Sequence, residues 1–459
     1  MKIALVYPRV INQFKSNLFP LGLVYIATIL NNKGYNVKIF DSSFDKNLES
    51  IKIKISAFNP DLVGVSVTSD LYDNMKDIIE FSKEEGAFTI IGGPHATIAF
   101  KECLNDIDKL DVVALGEAEK TIVELVESLD KIKDVKGIAY KKNGEIIVNQ
   151  QREVTFKLDE LPFPNRELLD NYDKYLRSGI IGITLARGCP FNCKFCQPAE
   201  RKIFGDQIRY RSPTSIADEL LFLYNKYNKY EFYICNDLFT YNKKWINEIC
   251  DKLEERELLG KIRFIVLSRV DLFDEEMARI LKKLGVHRVL LGVESGSERV
   301  LKFLQKETNL DVIKKSFKIA KKYKIKTHGL FILGSPDETK ESLADTARLI
   351  DEIKPSQVML SLFSPLPGTY LYDDYKDKLN ITSCQQYDYY DYSAGKLNVK
   401  NENVTFEDVI RLKKKIFSKR RLQLFSNAKE LISDFIRDRS FYKIMNRWNT
   451  YQRCKDFFG

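Results

Sequence analysis

Two series of short apolar runs, each run separated from the next by a helical stretch, constrain the fold of this 459-residue chain more than anything else in it. The first series is Ile3–Tyr7, Val37–Phe40, Leu62–Val67, Phe88–Ile91 and Val112–Leu115. Leu21 to Asn32 has helical spacing and is stopped by Gly34, and a further helix is expected from Glu119 to Leu129. Apolar runs alternating with helices predict the parallel strands of an α/β, doubly wound, Rossmann-like sheet. Ligands of such sheets sit at the strand carboxyl ends. Those ends read Ser66-Val67-Thr68-Ser69, Gly92-Gly93-Pro94-His95 and Gly116-Glu117. Gly137 to Val148 reads as a hairpin turning at Asn143-Gly144, and Asp159 to Pro164 as a linker. The second series is Ile180–Leu185, Phe232–Cys235, Arg263–Leu267, Arg288–Gly292, Thr327–Leu333 and Gln357–Leu362. Ser212 before Pro213 is a good helix start between two of these runs. Six strand–helix repeats in about 190 residues suit a partial (β/α)6 TIM-type barrel with its site at the carboxyl rim. The expected division is 1–135, a hairpin and linker over 136–175, a barrel over 176–372, and a Tyr-rich connector with a mostly helical basic region over 373–459.

Hydrophobic residues make up 44% of the chain, enough for packed cores. The longest uncharged apolar candidate, Phe19 to Leu30, has 12 residues and is too short to span a bilayer. The start, Met1 to Pro8, reads as a strand and not as a signal peptide. A cytoplasmic, reducing setting is therefore expected, in which close cysteines point to metal or redox work. The net charge of +9 is concentrated in residues 411–459, with 14 Lys+Arg against 4 Asp+Glu. The remainder is near neutral, so no nucleic-acid partner is expected. Within the tail, Phe417, Leu422, Leu424, Phe425, Leu431 and Phe435 alternate with cations. An amphipathic helix in peripheral contact with anionic lipid is one reading; a solvated capping helix is the plainer one.

The first barrel run leads into Arg187-Gly188-Cys189-Pro190-Phe191-Asn192-Cys193-Lys194-Phe195-Cys196, a C-x3-C-x2-C pattern. Tetrahedral zinc would need a fourth protein ligand. A [4Fe-4S] cubane can be held by three thiolates, leaving one iron open. The spacing alone leaves a zinc knuckle or unrelated thiols open. Cys235, Cys250, Cys384 and Cys454 show no metal spacing and read as buried or incidental. The later strand ends carry Phe239-Thr240, Leu267-Ser268-Arg269-Val270-Asp271, Gly292 to Ser297, Gly334-Ser335-Pro336-Asp337-Glu338 and Pro365 to Thr369. Singly these are turn glycines and helix caps; in order they line one rim.

On these motifs the chain resembles the radical S-adenosylmethionine (SAM) superfamily, in the class with an N-terminal cobalamin (B12)-binding domain. The resemblance covers roughly residues 1 to 372. It implies a cluster on Cys189, Cys193 and Cys196 whose open iron chelates SAM, and an external electron donor such as flavodoxin or ferredoxin. Cleavage then yields a 5′-deoxyadenosyl radical. It implies that Phe195 borders the SAM adenine and that Arg269, Glu294, Ser295, Gly334 and Pro336 contact SAM. The family often has paired aspartates before Phe-Thr; here the stretch is Asn236-Asp237-Leu238. For cobalamin it implies Leu21, Gly22, Ser66, Thr68, Gly92, Gly93, His95, Gly116 and Glu117. The Asp-x-His-x-x-Gly lower-ligand motif is absent: none of His95, His287 and His328 has Asp two places before it. Cobalamin is therefore expected without a protein histidine on cobalt, a structural Rossmann-like domain being the alternative. Methylthiotransferases need three N-terminal cysteines, and only Cys103 precedes Cys189. The implied activity is functionalisation of an unactivated carbon in a small-molecule, lipid or peptide substrate, with methyl transfer leading. A rearrangement, cyclisation or oxidation using cobalamin as an electron relay, or without it, is the alternative within the class, and a cobalamin or redox sensor the alternative outside it. The Tyr-rich stretch Tyr370 to Tyr392 reads equally as a pocket wall or a packed connector.

Overall fold

In the computed structural model the described residues are 1–10, 18–154, 157–177, 179–388, 390 and 392–426. The N-terminal sheet contains β1 (Lys2–Tyr7), β2 (Asn36–Asp41), β3 (Leu62–Ser66), β4 (Phe88–Gly92), β5 (Val112–Ala114), β6 (Ile138–Lys142) and β7 (Glu145–Val148). Their order is β2-β1-β3-β4-β5-β6-β7. β1 to β5 run parallel; β6 and β7 form an antiparallel hairpin on the edge. Its turn has φ of 52° at Asn143 and 84° at Gly144, which is why Asn-Gly suits it. Alternate strand residues face two apolar cores: Ile3, Leu5 and Ile39 lie in one, Ala4, Val6 and Phe40 in the other. Helices cover both, as a parallel sheet requires. The strand order reverses at β1, so the crevice of this sheet opens beside the ends of β1 and β3.

The second sheet is a half-barrel. It contains β8 (Ile180–Ile183), then after the short strands β9 (Ala186–Arg187) and β10 (Arg209–Tyr210) come β11 (Glu231–Ile234), β12 (Arg263–Arg269), β13 (Val286–Glu294), β14 (Lys326–Leu333) and β15 (Gln357–Leu362). The order β15-β14-β13-β12-β11-β8 is parallel throughout. β9 and β10 pair antiparallel as a two-stranded ribbon outside the barrel, which the apolar periodicity did not indicate. Ser212 accepts a hydrogen bond from Ser215 N at 3.2 Å, with Pro213 in the first turn, as its helix start requires. β13 runs past the expected Gly292, with a register shift before Glu294.

After β15 the chain forms a short helix, Tyr370–Tyr375, and 3-10 turns that include Cys384–Tyr387. The turn Cys384–Tyr387 packs on the Ser69–Leu71 turn of the N-terminal domain, while Tyr392 Oη donates to Leu360 O of β15 at 3.0 Å. The connector thus touches both sheets. Helix Phe406–Ser426 buries Val409, Leu412 and Ile416 against the barrel. Leu422, Leu424 and Phe425 fall in its last turns, whereas Leu431, Phe435 and Cys454 lie outside the described residues.

Candidate active site at the facing sheet edges

The cysteine loop leaves β8 and is closed at its base by the β9–β10 ribbon. Asn236 Oδ1 accepts from Leu185 N at 2.9 Å and Ala186 N at 3.1 Å, and Asp237 accepts from Gly188 N. The residues that depart from the paired aspartates therefore anchor the loop. Gly188 has φ of 93°, and a Cβ there would lie 2.5 Å from Gln207 O, so only glycine fits. Cys196 N and Gln197 N both donate to Cys193 O, folding the second and third cysteines into one turn. Cys193 is buried, Cys189 and Cys196 half-buried, and none forms a disulfide. Burial pushes all three thiols up, Cys189 to about 11; at Cys193 the charges of Lys306 and Arg269 oppose it. Cys196 Sγ donates to Glu200 Oε2 at 3.2 Å, and burial beside Asp237 raises the Glu200 carboxyl.

Among the described residues no three His, Cys, Asp or Glu side chains are gathered to hold a metal ion. Three cysteines in one loop are one ligand short of a tetrahedral zinc set. A cubane takes each thiolate on a different iron, so three free thiols in one loop, with cations at hand, fit it.

The barrel rim beside Cys193 is a wired charge network. Arg269 Nη1 lies 3.3 Å from Cys193 Sγ, Nη2 donates to Lys306 O at 2.7 Å, and Nε to Asp271 Oδ1 at 2.9 Å. The guanidinium carbon stands 3.7 Å from the centroid of Phe191. Lys306 Nζ donates to Glu294 Oε1 at 2.7 Å, both buried, and sits 5.8 Å from the centroid of Phe195. Glu294 adopts φ of 67° at the register shift, which turns its carboxylate back over Gly292, where a Cβ would come within 2.6 Å of Oε1. Phe195, Arg269 and Glu294 are thus brought together around Lys306, a residue that sequence reasoning did not single out. Ser295 is not with them: it is fully buried, its Oγ accepts from Ser297 N at 3.2 Å and lies 3.4 Å from Thr346 Oγ1, closing a turn. Gly334 has φ of 80°, donates its N–H to Glu338 and abuts Leu397; Pro336 is half-buried beside it. Burial pushes the Glu338 carboxyl up to about 7.

The facing edge of the N-terminal sheet is built mostly of small residues, its charges being the Arg9–Asp70 ion pair at 3.1 Å beside the ends of β1 and β3. Gly93 has φ of 100°, and a Cβ there would lie 3.0 Å from Val67 O and 3.2 Å from Ser66 Oγ. Gly92 lies against Ala114. Thr68 Oγ1 donates to Asp70. His95 Nδ1 is 3.0 Å from Ser69 Oγ, its ring stands edge-on to Tyr72, and burial depresses it to about 4, leaving it neutral. Gly22 is exposed with open space beside it, whereas Leu21 is buried toward Gly182 of β8. Gly116 N donates to Thr97 Oγ1 at 3.0 Å. Glu117 does not face the open edge: its carboxylate is ion-paired to Arg187 and Arg209. The edges meet where helix Pro94–Ile98 packs on helix Ala199–Phe204, just past the third cysteine.

The sequence pattern of the Radical SAM superfamily matches residues 183–350, and that of the B12 binding domain matches residues 9–126. The chain is 33% identical over 385 residues to the uncharacterized methyltransferase PH0819 of Pyrococcus horikoshii, covering 81% of this chain and 83% of that one. It is 26% identical to the anaerobic magnesium-protoporphyrin IX monomethyl ester cyclase of Rubrivivax gelatinosus, covering 85% and 72%. The fold superposes on the radical SAM methyltransferase TsrM of Kitasatospora setae, solved with cobalamin and a [4Fe-4S] cluster, with a TM-score of 0.69 at 17% identity, covering 84% and 80%. No helix among the described residues is long and apolar enough to cross a membrane. With both domains matched in sequence and a relative aligned across four fifths of the chain, the protein belongs to the radical SAM superfamily, among the enzymes that carry an N-terminal B12-binding domain.

Proposed function

We propose that this enzyme functionalises an unactivated carbon by methyl transfer, with residues 1–135 as the cobalamin module, extended by the edge hairpin Ile138–Val148 that joins its sheet, 176–372 as the radical SAM core, and the rest of 136–175 and 373–459 as connecting and capping segments. The meeting of the two carboxyl edges at the cysteine loop carries the reading, because it sets the two proposed cofactor sites beside each other. A cubane on Cys189, Cys193 and Cys196 with SAM on its open iron, and cobalamin on the facing edge, would supply the radical and the methyl group. Arg269 stabilises the Cys193 thiolate through its hydrogen bond. Lys306 and Glu294 offer buried, oppositely charged partners for the carboxylate and amino groups of SAM. Phe195 and Phe191 exclude water beside them. Gly334 and Pro336 let backbone approach the nucleoside, and Ser295 acts through the turn it closes. Gly22 and Gly116 leave room for a flat macrocycle on the edge formed by Ser66, Thr68, Gly92 and Gly93, with neutral His95 at its border and Leu21 beneath. Electrons come from a flavodoxin- or ferredoxin-like donor, and the substrate is a small organic molecule admitted between the edges.

The test is anaerobic incubation with SAM, hydroxocobalamin and a strong reductant, resolving the nucleoside products. Methyl transfer yields both 5′-deoxyadenosine and S-adenosylhomocysteine. The similarity to the cyclase supports a second reading, a cyclisation or oxidation in which only 5′-deoxyadenosine accumulates. SAM binding without any cleavage would sink both readings and favour a sensor.

A further inference from the structure

Glu117, Glu119, Arg187 and Arg209 form a buried four-charge cluster between the two domains, and it lies outside the chemistry described above. Arg187 Nη1 is 2.8 Å from Glu117 Oε1, and Nη2 is 2.6 Å from Glu119 Oε1. Arg209 donates to Glu117 Oε2 at 3.0 Å and to Oε1 at 2.8 Å. The four side chains are between 3% and 11% exposed. The Arg187 guanidinium also stands 5.8 Å from the ring centroid of buried Tyr25, so a barrel-side residue is enclosed by N-terminal side chains. A buried ion pair is weak evidence for added stability, because desolvation offsets most of its attraction. What such a cluster provides is a single allowed placement, since any sliding leaves a buried charge unpaired.

Its position decides what is placed. Arg187 is two residues before Cys189, and Arg187 and Arg209 occupy the paired strands that close the cysteine loop. Glu117 directly follows Gly116 at the end of β5. From there a continuous set of contacts reaches the other sheet edge: Gly116 N donates to Thr97 Oγ1, which donates to Gly93 O at 2.9 Å. One hydrogen-bonded chain therefore joins the macrocycle edge to the base of the cluster loop.

We propose that Glu117 and Glu119 are positioning residues that lock the cobalamin-binding edge to the cluster loop, so that ordering of either site favours the other. The proposal rests on the functional reading above. By linkage, if an ordered cluster loop improves cobalamin binding, bound cobalamin favours the ordered loop by the same factor. It also moves Glu117 from the cobalamin contacts, where its motif suggested it belonged, to the joint between domains.

The test is hydroxocobalamin binding to the full-length chain, with and without a reconstituted cluster, read anaerobically by quenching of intrinsic fluorescence. In the wild type, reconstitution should tighten binding about tenfold. In Glu117→Gln that ratio should fall to about one, with cluster-free affinity within about twofold of wild type. Circular dichroism and iron content establish that the variant is folded and loaded. Arg209→Gln removes the Arg209 half of the Glu117 contacts while leaving those of Arg187, and should lower the ratio in the same direction by a smaller amount, so it carries the test if Glu117→Gln fails to fold. A wild-type ratio of one, or an unchanged ratio in both variants, overturns the lock alone. Loss of cobalamin by cluster-free Glu117→Gln also overturns it and makes Glu117 a contact residue. Failure of the wild type to bind hydroxocobalamin at all overturns the functional reading, and the lock with it.

Discussion

The two sheet edges that face each other in this protein are built from opposite materials. The barrel edge holds Arg269, Lys306 and Glu294 in one buried network against Cys193, with Asp271 pairing Arg269 at its exposed end. The N-terminal edge offers mainly glycines, hydroxyls and a histidine kept neutral, with one ion pair, Arg9–Asp70. Both are carboxyl ends of parallel strands, so topology does not account for the contrast. Under the proposed function the contrast follows ligand chemistry: the amino acid part of SAM would need fixed charges, whereas a broad macrocycle would need close approach of backbone. Four substitutions or conditions test how far that division holds.

Cys193→Ala should have the largest effect. The visible absorption of the reconstituted cluster should vanish and SAM cleavage fall at least about thousandfold, while hydroxocobalamin still binds with the affinity of cluster-free protein. Retained cleavage would mean that the barrel edge does not depend on this loop. Next, Lys306→Met strands the Glu294 carboxylate in the interior and should cost about 3–5 kcal/mol in urea unfolding. Adding Glu294→Gln should recover much of that loss; if the single variant is as stable as wild type, the pair is solvated and the contrast weakens. On the other edge, Gly93→Val forces a Cβ toward Val67 O at positive φ, a strain of about 1–3 kcal/mol. It should weaken cobalamin binding and leave SAM binding to the reconstituted protein within a few-fold.

The smallest effect is a pH dependence. The His95 ring titrates near 4 in the fold against an ordinary 6.5, because burial disfavours the imidazolium. Between those values the unfolded chain binds a proton that the fold refuses. His95 therefore contributes stability fully present above about 6.5 and lost as pH falls toward 4. Partial exposure screens this to about 1 kcal/mol. His95→Asn should flatten that part of the stability profile in thermal melts; an unchanged slope would place the ring in water.

The strands were legible because parallel strands buried on both faces leave continuous apolar runs, and each of the six barrel runs lies on an observed strand to within two or three residues at either end. The cysteine loop was legible because its ligands are close in sequence. Lys306 was not: it is one of 73 Lys+Arg, lies in a turn between helices, and gains meaning only from Glu294 across the rim. Glu117 carried a recognisable pattern whose partners, Arg187 and Arg209, lie on the other domain. Ser295 shared its motif with Glu294, yet the positive φ of Glu294 sends the two side chains to different neighbours. Long-range pairs and backbone reversals of this kind leave no periodic trace.

The ribbon that closes the cysteine loop has a consequence for variation in length. Because Ala186–Arg187 and Arg209–Tyr210 are paired, the segment between them starts and ends at adjacent points whatever its length. Lengthening such a closed loop is entropically cheap, about 0.6 kcal/mol for each doubling. Residues inserted around Asp206, beyond the helix that meets the N-terminal domain, would leave the three cysteines, both arginines and every barrel strand in register. The segment is a closed excursion whose length can change while its two ends stay paired.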